Sequence, residues 1–311
     1  MSQKVIALWM YTNDGGAVIQ KKLKSKLEEK NIKVINDFDM RRCYCLNGSV
    51  FTEKGFDLSS VDVLYYMNAD EQTNYQIEIL KLLQLSGVKI VNSWDSFYIA
   101  NHKFMANTLL SNNGVNVPPA LYINSSQAKD MAEKIFKDWK KICVKNISGH
   151  GGKGIIAFDN VEQFVDFVDT TENCFDSYYI EKFIEFDSND YRVEIFNNEV
   201  IGGYCRCRKN HSYKTNIATG GYYIDLKPSK EFEEIALKAT KILNIETTIV
   251  DFVLSIEDNK IYIIEINQRM GAFAEAYIDN SKKLNNKEKF SSLSFDNEKL
   301  ELLSSYLITI V

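Results

Sequence analysis

The chain has 311 residues, 45% hydrophobic and 25% charged, with six cysteines. That is the balance of a folded chain with length for about two structural units, and too few cysteines for a disulfide scaffold, so reduced thiols are expected. Asp and Glu (42) outnumber Lys and Arg (37) for a formal net charge of −5, which leaves no basic excess for coating nucleic acid; no apolar run reaches the ~18–20 residues of a membrane helix and no secretory signal opens the chain, so a cytoplasmic protein with neither partner is expected.

In chain order, KVIALWM (4–10) reads as a strand closed by the turn-like TNDGG (12–16). AVIQKKLKSKLEEK (17–30) has helical spacing at Val18, Leu23 and Leu27, and IKVIND (32–37) is a second strand. VDVLYYMN (61–68) gives a third strand, IEILKLLQLSG (77–87) a helix, and VKIVNS (88–93) a fourth strand. This alternation predicts an α/β unit with a largely parallel sheet over 1–93. No G-x-G-x-x-G follows any of these strands, which argues against a dinucleotide site. WDSFYIANHKFMANTLLSNNG (94–114) reads as one long helix. After a proline break come a short strand, a helix (127–138), strand KICVKN (141–146), a Gly-rich loop, strand IIAF (155–158), a helix (162–169) and strand SYYIEKFI (177–184). Residues 185–268 read mostly as strands with one helix (230–243), and a helix-rich tail covers 293–310.

Three groups of residues carry chemistry. The first is KNISGHGGKGI (145–155), where Lys145 ends a strand and the glycines, Gly151 and Gly152 among them, let backbone amides face an anion. It is not a P-loop, because it joins two strands, and a flexible hairpin is the plainer alternative. His150 is either a donor to phosphate or a solvated loop residue. The second is IVDFVLSIEDNKIYIIEIN (249–267), two apolar strands around the turn EDNK. Glu265 and Asn267 share a face, and Asp251 lies on the neighbouring strand in hairpin register. Two adjacent carboxylates in an apolar setting call for a cation, and an all-oxygen set fits Mg2+ or Mn2+ better than zinc. The third is DYRVEIFNNEVIGGYCRCRKNHSYKTNIATGG (190–221). Tyr204, Arg206 and Arg208 alternate with Cys205 and Cys207, presenting guanidinium forks suited to carboxylate or phosphate. Taken alone, this could be an exposed edge strand with protective charges. The pairs Cys43/Cys45 and Cys205/Cys207 could offer four thiolates to zinc, but the spacing is unlike usual zinc sites, and strand alternation accounts for Cys205 and Cys207 lining one buried face.

A glycine loop, an acidic hairpin and an arginine-bearing strand, in that order, resemble an ATP-grasp ligase of the RimK-like type over about 94–271. The resemblance implies an α/β N-terminal domain (1–93) followed by the α+β ATP-grasp fold. Its two lobes (94–184 and 185–311) would clamp the nucleotide. It implies ATP-phosphate lysines at Lys103 and Lys145, and an adenine-pairing hinge at Glu181, Lys182, Phe183 and Ile184. It implies a ribose acid at Asp190, arginines near the reacting groups at Arg192 and Arg206, a phosphate-side segment at Lys214, Thr215 and Asn216, and magnesium ligands at Asp251, Glu265 and Asn267. The sequence departs from the family after the last ligand, reading NQRMGAFAEAY (267–277). Arg269 there could hold a substrate carboxylate or form a loop salt bridge, and Arg208 is a second substrate candidate.

The chemistry so implied is an ADP-forming ligation: a carboxylate becomes an acyl phosphate, and an amine displaces the phosphate to give an amide. Small molecules or peptides would supply both groups. The glycine loop would close over the site at 148–153. An alcohol or thiol nucleophile, or an ATP-binding regulatory module, is the alternative. The sequence leaves the two substrates open, and leaves a homo-oligomer open as well.

Overall fold

The structure is a computed structural model and describes residues 3–10, 16–67, 74–148, 154–209, 212–216, 220–224, 228–270 and 293–311. The first part is β1 (Val5–Met10), α1 (Gly16–Glu28), β2 (Lys33–Ile35), the hairpin β3 (Tyr44–Leu46) and β4 (Ser49–Phe51), β5 (Val63–Met67), α2 (Asn74–Leu85) and β6 (Lys89–Val91). β2-β1-β5-β6 form a parallel sheet. Both faces are covered, as a parallel sheet requires, which is why β1 and β5 read as unbroken apolar runs. On one side Ile6, Leu8 and Tyr65 meet α1 through Ile19, Leu23 and Leu27. Val18 is half exposed and takes no part in that face. On the other, Trp9 and Tyr66 meet α2 and the following helix.

The predicted long helix at 94–114 is two helices, α3 (Trp94–Asn101) and α4 (Lys103–Asn112). His102 lies between them in extended conformation and caps α4, its ring Nδ1 accepting the Met105 N–H at 3.3 Å. The break needs neither proline nor glycine: the imidazole satisfies an orphan donor of the new first turn.

Next come β7 (Ala120–Asn124), α5 (Ala128–Trp139), β8 (Ile142–Lys145), β9 (Ile155–Phe158), α6 (Val161–Thr171) and β10 (Ser177–Lys182). They form an antiparallel sheet ordered β7-β10-β8-β9, with α5 and α6 on one face. Alternation divides β8: Ile142 and Val144 enter the core beneath the helices, while Cys143 and Lys145 face the other way. The last sheet uses β11 (Asn189–Phe196), β12 (Glu199–Cys207), β13 (Tyr222–Ile224), β14 (Thr247–Leu254) and β15 (Ile261–Ile266), in the order β13-β12-β11-β14-β15. β12 is therefore paired on both sides, which removes the edge-strand reading of its arginines. Helix α7 (Lys230–Leu243) and α4 cover one face. The other face opposes the β8–β10 sheet across a cleft. Helix α8 (Leu293–Ile310) returns to pack on α1. No helix among the described residues is long and apolar enough to cross a membrane.

Candidate active site

The cleft between the two antiparallel sheets has an open volume of about 920 Å3, its solvent mouth included. Each wall is set by strand alternation. From one sheet come Cys143 and Lys145 on β8, Ile155 on β9 and Glu181 on β10; from the other, Asp190, Arg206, Asp251, Val253, Ile264 and Glu265. Lys182, Phe183 and Ile184 form its back, where the chain crosses between sheets, and Lys214, Thr215 and Asn216 close one side. The helix break puts Lys103 at the first position of α4, with its ammonium 3.1 Å from Glu265.

The second sheet carries a lateral row of polar side chains. Tyr204, Arg192, Asp251 and Glu265 are successive cross-strand partners, and Arg206 opposes Asp190 in the next row. Opposite charges directly across strands support pairing. Arg192 forks onto Asp251, Nε to Oδ1 at 2.7 Å and Nη2 to Oδ2 at 2.9 Å, and Nη1 donates to the Tyr204 hydroxyl at 2.9 Å. Arg206 Nη2 reaches Asp251 Oδ2 at 3.0 Å and also contacts Asp190. Burial drives the Asp251 carboxyl up to about 6 against the pull of both guanidiniums. Burial likewise opposes the charge of Glu265, but Lys103 and then Lys145 more than offset it and hold that carboxyl below its ordinary value. A β-bulge makes this arrangement. Between Asp251 and Phe252 the pairing skips a residue on β15, so consecutive Ile264 and Glu265 both face the cleft.

On the opposite wall Lys145 is ion-paired with Glu181, which also accepts the Tyr179 hydroxyl. Burial opposes the lysine's charge, yet Glu181 keeps its affinity for the proton above the ordinary value. Burial pushes the Cys143 thiol up to about 11, so it is an apolar wall group and not a thiolate. Two glycines fix the rim. Gly154 has φ +72°, and a side chain there would meet Asn146 at 2.3 Å. A Cβ on Gly221 would fall 1.9 Å from the Thr215 carbonyl oxygen, and its N–H donates to Asn216 at 3.0 Å.

The remaining predicted residues lie around this core. Asn267 follows β15 and is not among the residues that line the cleft; its Nδ2 donates to the Ile249 carbonyl at 3.1 Å. Arg192 does not line the cleft and touches it only through its bond to Asp251. Arg208, beyond the end of β12, stacks over Phe186 at 4.7 Å and donates to Ser188 at 3.2 Å, so it does not share the Arg206 face. Arg269 is half-buried after β15 and does not line the cleft. Gly151, Gly152 and His150 lie outside the described residues, as does the closure expected of their loop. Cys205 is buried, as alternation predicts, but Cys207 is only half-buried at the strand end. Cys143, Val253, Phe186 and Tyr213 were not singled out from the sequence. Cys143 and Val253 were within reach, each two residues along a strand from a predicted site residue and hence on the same face.

Among the described residues no group of three or more His, Cys, Asp and Glu could hold a metal. The oxygen set here is two carboxylates and one amide. Asp251 and Glu265 are direct cross-strand partners with Asn267 two residues on. Such donors fit a hard divalent cation that takes its other ligands from phosphate and water. Two buried polar atoms in the same region have no hydrogen-bond partner among the described residues, the acceptor Asp190 Oδ1 and the donor Arg206 Nε. A cleft between two antiparallel sheets, with cations on both walls and an unmatched donor and acceptor on one of them, suits a polar, anionic ligand.

Residues 100–287 match the RimK-like ATP-grasp domain, and the chain belongs to that family. It is 27% identical over 230 residues to the coenzyme γ-F420-2:α-L-glutamate ligase of Methanococcus maripaludis, covering 69% of this chain and 75% of that one. Its fold is that of the ATP-grasp ligase PsnB complexed with minimal precursor (TM-score 0.67, 12% identity, 100% of both chains). It is also that of D-alanine–D-alanine ligase from Bacillus anthracis (TM-score 0.63, 13% identity, 98% of this chain and 100% of that one). The chain is an ATP-dependent carboxylate–amine ligase.

Proposed function

We propose that the cleft holds ATP with Mg2+ or Mn2+ and that the chain joins a carboxylate to an amine through an acyl phosphate. The observation that carries this is the convergence of Lys103, Lys145 and Arg206 with Glu265 in one cleft between two sheets. Lys103 and Lys145 neutralise the β/γ end of the triphosphate. Cys143, Ile155, Phe186 and Val253 give the apolar slot for the base, and the backbone at Glu181–Ile184 pairs its edge. Asp190 Oδ1, unmatched and buried, accepts a ribose hydroxyl. Asp251, Glu265 and Asn267 hold the divalent ion, which supplies charge neutralisation on the phosphate oxygens.

The carboxylate oxygen attacks the γ-phosphorus and the bond to ADP breaks. The amine nitrogen then attacks the acyl carbon, phosphate leaves, and the amine gives up a proton. Arg206 faces the charge that develops at both steps and Arg192 holds Asp251 in place, while Lys214 and Asn216 flank the phosphate. Arg208 and Arg269, although neither lines the cleft, are our candidates for holding a substrate carboxylate. Residues 1–93, 94–184 and 185–311 act as an N-terminal unit and two lobes.

The test is mass spectrometry and ADP release with ATP, Mg2+, a panel of amino acids and short acidic peptides. The Methanococcus relative makes glutamate the first amino acid to offer, and PsnB's complex with a precursor makes peptides the first macromolecular class. The expected product has the mass of acid plus amine less water, with one ADP per bond. ADP release that needs no carboxylate, or none with any pair, would count against the reading.

A further inference from the structure

We infer that Asn92 is a positioning residue for the strand ends that present the metal ligands, an inference that rests on the metal reading above. Asn92 is outside the cleft, directly after β6 in the N-terminal sheet, and only 2% exposed. All the hydrogen-bonding capacity of its side chain is spent. Nδ2 donates to the carbonyls of Thr247 at 2.7 Å and Gln268 at 2.6 Å. Oδ1 accepts the N–H groups of Glu246 at 3.0 Å and Thr247 at 2.8 Å. With two carbonyls on one side and two N–H groups on the other, only one orientation of the amide satisfies them.

One side chain therefore ties the start of β14 to the residue that follows Asn267. β14 carries Asp251, and β15 carries Glu265 up to that point. The gripped positions lie 155 and 176 residues from Asn92 in sequence. Gln268 is held again from its side chain, Nε2 donating to Asn101 at 2.7 Å. The Thr248 hydroxyl donates to the Asn267 carbonyl at 2.6 Å. Asn92 is the one member of this set that comes from the N-terminal sheet, so it also sets where that sheet sits relative to the ligands. A metal ligand's orientation depends on such outer partners as much as on its own strand.

Asn92→Asp isolates the grip. It keeps an acceptor for the two N–H groups and removes both donors, so the tie to Gln268 is lost. The probe is Mn2+ added to ADP-saturated protein, with free ion followed by electron paramagnetic resonance and metal-free ADP binding measured by calorimetry. Asn92→Asp is expected to weaken Mn2+ binding about 10-fold and leave metal-free ADP binding unchanged. In the Asn267→Ala background the same Asn92→Asp change is expected to weaken Mn2+ binding by clearly less than 10-fold, since one of the three ligands it positions is gone and Asp251 and Glu265 remain. Unchanged Mn2+ affinity in Asn92→Asp beside a weakened Asn267→Ala would overturn this inference alone. Wild-type affinity in Asn267→Ala would take down the metal reading and this inference with it. Should the aspartate unfold the chain, Asn92→Ser, which adds no charge and is too short to hold both strand ends, is expected to weaken Mn2+ binding in the same way; loss of the fold in both would overturn the inference in favour of a purely architectural part.

Discussion

Asp251 and Glu265 face each other on adjacent strands, yet their surroundings give them different duties. Asp251 is 1% exposed and shared by two guanidiniums, whereas the Glu265 side chain keeps 22% exposure beside Lys103. Asp251→Asn takes a carboxylate from a cluster that then holds two buried cations against Asp190 alone. The expected stability loss is about 3–5 kcal/mol, read by urea unfolding. Glu265→Gln leaves an amide oxygen that can still accept from Lys103, whose side chain is 14% exposed, with an expected cost of about 1 kcal/mol, and its metal-dependent ADP formation is expected to disappear. Equal stability losses in the two variants would contradict this division. Arg206→Lys keeps the charge and loses the fork, and the Nε hydrogen with it. A rate decrease of roughly 10²-fold is expected, as for one lost transition-state donor, and an unchanged rate would remove Arg206 from the mechanism. The identities of these residues were legible because carboxylates and arginines are conspicuous within Ile/Val/Tyr strands. Their pairing was not. Which carboxylate faces a guanidinium and which a lysine depends on strand order, and nothing local to the sequence encodes the neighbour of β11.

At the scale of elements, the sequence pattern located β9 and α7 to the residue because clear stops flank them. It missed the break at His102 because histidine is a rare cap and the apolar spacing runs through it. That break is what aims Lys103 at Glu265. Burial lowers the His102 proton affinity below the usual value. The folded state then prefers the neutral ring that caps α4. The cap's contribution is full above about pH 6.5, and it is lost as pH falls through the lower folded value. His102→Ala is expected to cost about 1 kcal/mol at neutral pH. His102→Asn keeps an acceptor and is expected to remove this share of the acid-side decline, measured as midpoints of thermal unfolding from pH 7 downward. A steeper decline in the asparagine variant would contradict the capping role. The bulge at Ile264 was equally invisible, since a two-residue alternation places Glu265 and Ile264 on opposite faces, and only the observed skip in pairing unites them.

Over the whole molecule, α8 joins parts of the chain that the strand–helix rhythm alone does not connect. Leu300, Leu303 and Leu307 are buried in the cluster that holds Ile19, Leu23 and Leu27 of α1. The same helix reaches the second antiparallel sheet, where Tyr306 lies edge-on to Phe196 at 5.2 Å and Lys299 meets Glu194 at 2.6 Å. Lys299 and Glu194 are both almost fully buried, 1% and 2% exposed at the side chain. A lysine in that position reads from sequence as a solvated helix face, and nothing short of the packed structure puts a carboxylate beside it. Removing one partner of a buried pair strands the other charge away from water, while replacing both with apolar groups of similar volume costs little. Lys299→Met is therefore expected to destabilise the chain by about 3–5 kcal/mol, and Lys299→Met/Glu194→Leu to recover most of that loss. Glu194 stands two residues along β11 from Arg192, on the same face. If the pair serves only to dock α8, the recovered double variant turns over ATP as the parent does. A double variant that regains stability and remains slow would show that the Glu194 charge is part of the electrostatic row running through Arg192 and Asp251. Urea unfolding and steady-state ADP release on the same three proteins separate the two outcomes.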